Sequence, residues 1–586
     1  MNVIEVRTFA AKKLRPFCML QKCYCLLLCL LFWAAANSVT GQPLPYPYDS
    51  AKEAVGAQAM VVSAHPLASK VGIDILKKGG NAIDASVAVQ FALAVVYPQA
   101  GNVGGGGFLV YRDKQGGIAA LDYREMAPIA ASADMYLDKD GNVIPHKSEL
   151  GPAAAGVPGT VDGMWVAHQK YGRLPWASLV QPAVALAENG FQITAQEANN
   201  LNAERKDLLQ YSSMPSAFTA NANWKPGDWL VQKDLAAVLK RVEIQGREGF
   251  YLGTTADLIV REMASKGGLL TLSDLKGYHS VWRTPLVFKY KKLEVIAMPP
   301  PSSGGLILQQ LLGITARYPM RKWGFHSAKT VHLMAEAERR AYADRAEHMA
   351  DPDFWKVPVN QLIDKQYLKQ RMEDFNPQAA TPSTNISAGQ FKESEQTTHY
   401  SIVDAEGNAV SVTTTLNDSY GSHCVVAGAG FILNNEMDDF SVKPGSPNIY
   451  GAIGGKANAI APGKRPLSSM TPTILTKKGQ LWMVVGTPGG TTIPTSVFQV
   501  IVNAAEFKMS LPDAVQAGRF HHQWKPDQIM VEEHALTEET LNALRNMGHQ
   551  VKVRGAIGRV EAILRLSDGH WQGVADKRGD DAAMGY

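Results

Sequence analysis

The feature that most constrains this chain is an abrupt change of character at Gln396–Thr397. Residues 379–396 are polar, rich in Ser, Thr, Asn, Gln and Glu, and carry Pro382. With almost nothing apolar to bury, they read as an exposed loop. From Thr397 the chain alternates, with Thr398, Tyr400 and Ile402 on one side and His399, Ser401 and Val403 on the other. That period of two is a strand pattern. Asp404 to Asn408 supplies turn chemistry and Val410 to Leu416 alternates again, so the segment predicts a β-hairpin.

A loop that runs straight into a Thr at the head of a buried strand has two readings. In the first, Thr397 is a β-branched residue that simply begins a strand. In the second, the chain cuts its own Gln396–Thr397 bond, and Thr397 gains a free α-amino group. Such an amine ordinarily has a pKa of about 7.7–8, close enough to neutrality to take the proton of its own hydroxyl. One residue would then hold both nucleophile and base.

The 586 residues, 46% hydrophobic and 19% charged, supply ample core for a large α/β unit. A net charge of +4 gives no electrostatic case for nucleic acid. Arg7, Lys12, Lys13, Arg15 and Lys22 precede an apolar run, Cys23 to Ala36, and then small and polar residues to Gly41. This is the layout of a secretory signal peptide over residues 1–41. The run is shorter than the ~20 residues of a spanning helix, which makes a retained anchor the weaker reading. Cys18, Cys23, Cys25 and Cys29 lie in that leader, and only Cys424 remains beyond it. One cysteine cannot pair internally, and no thiolate metal site can be built; neither metal nor organic cofactor is expected.

Along the exported part, Leu67 to Lys78 has helical spacing and stops at Gly79 and Gly80, and Asn81 caps a second helix that closes before Pro98. The four glycines Gly104 to Gly107 stand before an apolar strand, which permits a backbone approach that a Cβ would forbid. Phe108 to Arg112 and Gly117 to Tyr123 predict paired strands. Pro158 to about Gln370 reads as mainly helical, with Pro299 to Gly305 leading into a helix over Leu306–Leu312 and a salt-bridged helix face over Val331–Asp344. After the hairpin, short apolar runs at Gly428–Leu433, Thr471–Thr476 and Gln480–Val485 are followed by helices at Pro494–Phe507 and Leu536–Asn546. Strands at both ends with helices between and around them predict one α+β unit with a layered sheet core.

Three short motifs follow Thr397. Asn434 to Phe440 holds three acids, a grouping usually solvated. Arg465 to Met470 offers two hydroxyls in a Pro-bounded loop. Gly486 to Gly490 is a glycine turn directly after a strand, used commonly as a tight turn and alternatively as an oxyanion hole.

In this order, behind Thr397 to Ser401, the motifs resemble the γ-glutamyltranspeptidase family. The likeness extends to Gly80–Ala85, Gly104–Phe108, Asp122–Pro128, Pro301–Gly305 and Arg519–Trp524. It implies a four-layer αββα N-terminal-nucleophile hydrolase sandwich. It further implies self-cleavage at Gln396–Thr397 into a large subunit, 42–396, and a small catalytic subunit, 397–586, that together form a heterodimer. The implied activity is γ-glutamyl transfer and glutathione hydrolysis, with water, an amino acid or a dipeptide as acceptor. By the same resemblance Thr397 is the nucleophile, Thr415 assists it, and Gly489 and Gly490 hold the oxyanion. Arg124, Ser468 and Ser469 would bind the α-carboxylate of a γ-glutamyl compound, and Asn417, Glu436 and Asp439 its ammonium. Pro444 to Gly451 resembles the lid of bacterial members, with Tyr450 closing over the pocket. A cephalosporin (glutaryl) acylase and a non-catalytic binder of γ-glutamyl peptides are the alternatives. With the leader, the single remaining cysteine and the lid, a periplasmic location is expected.

Overall fold

The computed structural model describes residues 48, 51–386, 397–443 and 455–586. The leader, Gln396 and Tyr450 lie outside the described residues.

Two seven-stranded antiparallel sheets lie face to face. The first runs Ala582–Gly585, Met60–Ser63, Thr398–Val403, Ala409–Thr415, Gly106–Arg112, Ile118–Asp122, Val281–Arg283. The second runs Glu53–Gly56, Trp571–Ala575, Glu561–Arg565, Gln480–Gly486, Thr473–Lys477, Leu293–Ala297, Leu286–Tyr290. Strands from before and after residue 397 are neighbours in both. Thr398–Val403 itself pairs with Met60–Ser63 on one edge and Ala409–Thr415 on the other.

Strand alternation builds the layers. Val61, Leu109, Leu121, Tyr400, Ile402 and Val412 face outward into a core shared with helices such as Ala82–Val96 and Trp176–Asn189. Met60, Val62, Phe108, Val110 and Val403 face inward and meet Ile296, Ile474, Val484 and Ile563 of the second sheet. The outer face of that sheet packs through Val295, Leu475 and Val485 on the helices Gly304–Thr315, Ala328–His348 and Thr492–Ala505. The order is helix, sheet, sheet, helix, as the α+β expectation requires.

The polar side of the Thr398–Val403 strand is buried between the sheets. Hydroxyls from it and from the neighbouring Ala409–Thr415 strand pin one sheet to the other: Ser401 Oγ donates to Glu561 O at 3.1 Å and Ser411 Oγ to Val485 O at 3.3 Å. His399 takes Thr413 Oγ1 at 2.9 Å and Ser401 Oγ at 3.1 Å. Burial pushes its imidazole down to about 3.

The hairpin at Thr397, the pair around Asp113 and the Asn81-capped helix form as expected; Asn81 and Asp84 complete a reciprocal cap. Three expectations change. The mainly helical stretch also contributes five strands: Val281–Arg283, Leu286–Tyr290 and Leu293–Ala297 enter the large sheets, and Phe191–Gln192 pairs with Trp229–Leu230. The Gly428–Leu433 run is a loop, because Gly428 and Gly430 turn it at φ +71° and +73°. The helix read over Val331–Asp344 runs Ala328–His348, and its charges are buried. Glu336 accepts from Arg339 and from Arg340 inside the layer, and these guanidiniums overcome the effect of burial to hold its carboxyl down at about 2.

Among the described residues no helix is long and apolar enough to cross a membrane. Cys424 is buried and free.

Candidate active site

Thr397 stands one residue before its strand. The register sets Thr398 opposite Thr414, so Thr397 arrives opposite Thr415, and their Oγ1 atoms lie 3.5 Å apart. Thr415 Oγ1 accepts the Asn417 N–H at 2.7 Å, which fixes its oxygen facing Thr397 and leaves its hydroxyl able to donate to, or accept from, that of Thr397. Asn417 turns the chain at φ +78°, a conformation Asn tolerates, and its Nδ2 donates to Asn435 O at 3.0 Å. From beneath, Asn102 Nδ2 donates to Thr415 O at 2.9 Å. The four-glycine run makes room for this: a Cβ on Gly105 would sit 2.0 Å from Thr415 O.

The acid loop is held inside the protein. Asn434 Nδ2 donates to Gly104 O at 2.8 Å and Gly156 O at 2.9 Å, and its Oδ1 accepts the Glu436 N–H at 3.1 Å. A short helical turn, Glu436–Asp439, then aims two carboxylates at Arg124. Arg124 Nη1 is 2.5 Å from Glu436 Oε2, its Nη2 pairs with Asp439, and Glu125 lies 3.4 Å away. Burial raises all three carboxyls against the pull of Arg124: Glu125 to about 8, Glu436 well above the usual range, and Asp439 above its own. Burial works to lower Arg124, but Glu436 and Asp439 outweigh it and hold the guanidinium charged.

Ser468 is fixed by the Pro301–Ser303 turn. Ser303 donates to Ser468 O through both N–H and Oγ, each at 2.7 Å. Arg345, from the last turn of Ala328–His348, reaches the same place, with Nε 3.1 Å from Ser303 Oγ and Nη2 3.2 Å from Ser469 Oγ. Across from them Gly489 and Gly490 turn at φ +134° and +52° between the strand Gln480–Gly486 and the helix Thr492–Ala505. Gly489 O accepts the Thr492 N–H at 2.9 Å, and neither glycine N–H donates a hydrogen bond among the described residues.

These parts line one cavity of about 350 Å³: Arg124, Arg345, Thr397, Thr415, Asn417, Glu436, Asp439, Ser468, Ser469 and Gly490, with Met470, Thr491 and Ile493. Gly489 lines an adjoining cavity that also reaches Thr397. Every described residue singled out from the sequence is therefore at or beside Thr397. Sequence reasoning missed Arg345, one residue past the helix it drew, and Asn102, just ahead of the glycine run.

Two other groups have the donor atoms for a cation. His332, Glu336 and His549 cluster in the core, but Glu336 is engaged by arginines, and His332 bonds Asn376 O at 2.8 Å and His549 Nε2 at 2.7 Å. Glu204, Asp207 and His423 form the second, with His423 Nε2 2.9 Å from Glu204. Neither lines the cavity at Thr397.

Residues 68–586 match the model of the gamma-glutamyltranspeptidase family. The chain belongs to that family. It is 46% identical over 534 residues to the glutathione hydrolase proenzyme of Escherichia coli (strain K12), covering 90% of this chain and 92% of that one. It is 38% identical over 539 residues to the Acylase ACY 1 proenzyme of Pseudomonas sp. (strain V22), covering 90% and 94%. Among solved structures, a cephalosporin acylase from Bacillus halodurans aligns with a TM-score of 0.80 at 28% identity, over 94% of this chain and 99% of that one. The sandwich is accordingly that of the N-terminal-nucleophile hydrolases. This γ-glutamyltranspeptidase family member thus has relatives named as glutathione hydrolase and as acylase, and the choice between the two readings turns on the chemistry of the cavity.

Proposed function

We propose that this chain is a γ-glutamyltransferase and glutathione hydrolase that activates itself by cutting before Thr397. The observation that carries the reading is the charge layout of the cavity. Two guanidiniums, Arg124 and Arg345, share it with two carboxylates, Glu436 and Asp439, beside the Ser468–Ser469 hydroxyls. A γ-glutamyl head group is a zwitterion. Its α-carboxylate would exchange into the Arg124 fork and the serine hydroxyls, and its ammonium would take Glu436 and Asp439, so charge stays balanced. A glutaryl group brings the carboxylate alone and would strand buried acids without a cation.

Cleavage gives Thr397 its α-amine. The amine takes the proton of Oγ1 as that oxygen attacks the γ-carbonyl carbon, while Thr415 donates to Oγ1. The carbonyl oxygen gathers charge against the Gly489 and Gly490 N–H groups. Collapse expels the leaving amine, which takes up the proton, and leaves a γ-glutamyl ester on Thr397. Water, an amino acid or a dipeptide then receives the acyl group. In this reading residues 42–396 and 397–586 remain together as large and small subunits, and residues 1–41 direct export to the periplasm.

Turnover of γ-glutamyl-p-nitroanilide and glutaryl-p-nitroanilide, with N-terminal sequencing of the purified chains, tests this. Faster turnover of the glutaryl compound would overturn the role of Glu436 and Asp439 and favour the acylase. A chain that stays whole and inactive leaves only a γ-glutamyl-peptide binder. Thr397→Ala is expected to remain a single inactive chain.

A further inference from the structure

Away from Thr397, a cavity of about 1080 Å³ is lined by six cations, Lys291, Lys292, Arg321, Lys477, Lys478 and Lys508, against one acid, Glu506. Residues 1–41 hold five Lys and Arg against one Glu, so the chain beyond them is neutral. The excess of positive charge is therefore local to this cavity.

Two adjacent hairpins build most of it. Tyr290 and Lys477 both lie opposite Leu293, which sets the Lys291–Lys292 tip beside the Lys477–Lys478 tip. In each tip the first loop residue, Lys291 or Lys478, stands at φ +53°, and Lys508 on a further wall stands at φ +60°. Both favoured two-residue hairpin turns require such a conformation at that position, where Gly or Asn costs least. Lysine gains the backbone nothing at either tip; what it adds is charge at the cavity.

Most of that charge is uncommitted. Lys291 pairs with Glu506, and Lys508 Nζ donates to Ala505 O. Lys292, Arg321, Lys477 and Lys478 make no side-chain hydrogen bond or ion pair among the described residues. Tyr290, also in the lining, is 1% exposed, and its hydroxyl has no hydrogen-bond partner among the described residues. Buried hydroxyls are normally paired, and a concave wall of one sign concentrates ions of the other. The cavity is separate from the chemistry at Thr397. The strand Gln480–Gly486 starts beside it and ends at the Pro488–Gly490 turn, its seven residues spanning roughly 20 Å, and the helix Thr492–Ala505 returns from that turn to the cavity wall.

We infer that this cavity binds an anion carrying two or more phosphate groups, held by the two lysine tips and the Arg321 guanidinium. A free organic di- or triphosphate and the phosphates of a lipid head group share that chemistry. The inference is independent of which acyl group Thr397 takes.

Calorimetric titration of the purified enzyme with sodium tripolyphosphate at low salt is expected to show saturable binding of one anion per chain, weakening steeply as salt is added. The double variant Lys292→Gln, Lys478→Asn should weaken that binding about tenfold or more, because it removes two uncommitted cations while Asn suits the turn. Without the anion its thermal midpoint should not fall below that of the wild type, since like charges have been removed. Tripolyphosphate should raise the midpoint of the wild type more than that of the variant. Pelleting with phosphatidylglycerol vesicles that tripolyphosphate competes away would identify a lipid head group as the source, and saturable binding without pelleting would identify a free phosphate. No saturable binding by the wild type overturns the inference without any variant having to fold, and so does an unchanged affinity in the double variant.

Discussion

Thr415 holds its hydroxyl oxygen 3.5 Å from that of Thr397 while accepting the Asn417 N–H, so its own hydrogen can turn toward Thr397 Oγ1 once that oxygen gives up its proton. A donor aimed at Oγ1 stabilises the oxygen as it loses its proton. Thr415→Val keeps the shape and removes the donor. We expect kcat on γ-glutamyl-p-nitroanilide to fall roughly 10- to 100-fold, the range for a hydrogen bond to a charged group, with slower conversion of the single chain. Thr415→Ser should recover most of both. Unchanged rates in the valine variant would remove Thr415 from the reaction.

In the proposed reading Arg124 and Arg345 would serve the same end of the substrate in different ways. Arg124 supplies a planar fork, and Arg345 positions Ser469 through a bond of 3.2 Å. Arg124→Lys replaces the fork by a point charge and should raise the donor KM by about tenfold or more, with less change in kcat. Arg345→Gln should raise KM less. Steady-state kinetics on the purified variants decide this, and equal effects would argue against separate roles.

Binding should release protons. Burial raises Glu125 to about 8 and holds Glu436 and Asp439 above the ordinary carboxylate range, so the free pocket keeps protons near neutral pH. An arriving ammonium lowers those values, because it favours the ionised form. Affinity for a γ-glutamyl ligand should therefore rise with pH between the ordinary carboxylate range and about 8. Calorimetry at pH 7 in buffers of differing ionisation enthalpy reads the proton count, and net uptake would contradict the assignment.

His65, His399 and His521 are fully buried, and burial pushes each imidazole down to about 3. A depressed folded-state value means that the unfolded chain binds the proton first. The stability that these groups contribute is present above the unfolded value near 6.5 and is lost as pH falls from there toward 3. Urea midpoints at pH 7 and pH 5 should show a clear acid loss in the wild type. His399→Gln, whatever its cost at pH 7, should show a smaller difference between the two.

The hairpin, the first helices and the site motifs were legible because each leaves a local trace: alternation, caps, glycines where backbones meet. The Leu286–Tyr290 and Leu293–Ala297 strands were not, since they are short and enter the sheet only because Leu293–Ala297 pairs with Thr473–Lys477 far along the chain. Arg345 has no local trace as a site residue; only the packing of its helix carries it to Ser469. The burial of the acid loop leaves no local trace either, because what holds Glu436 inside is Asn434 bonding to Gly104 and Gly156, residues distant in sequence; only the family resemblance placed Glu436 and Asp439 in the site.

The interleaving of strands from either side of residue 397 has a consequence for the cut enzyme. Each piece supplies neighbours to the other within both sheets, so neither has a complete core alone. Unfolding then releases two chains in place of one, and recovery becomes a second-order encounter between partners that never met as strangers during their first folding. The mature molecule would be a state reached once, through a covalent link it no longer possesses, and its lifetime would be governed by how slowly it comes apart.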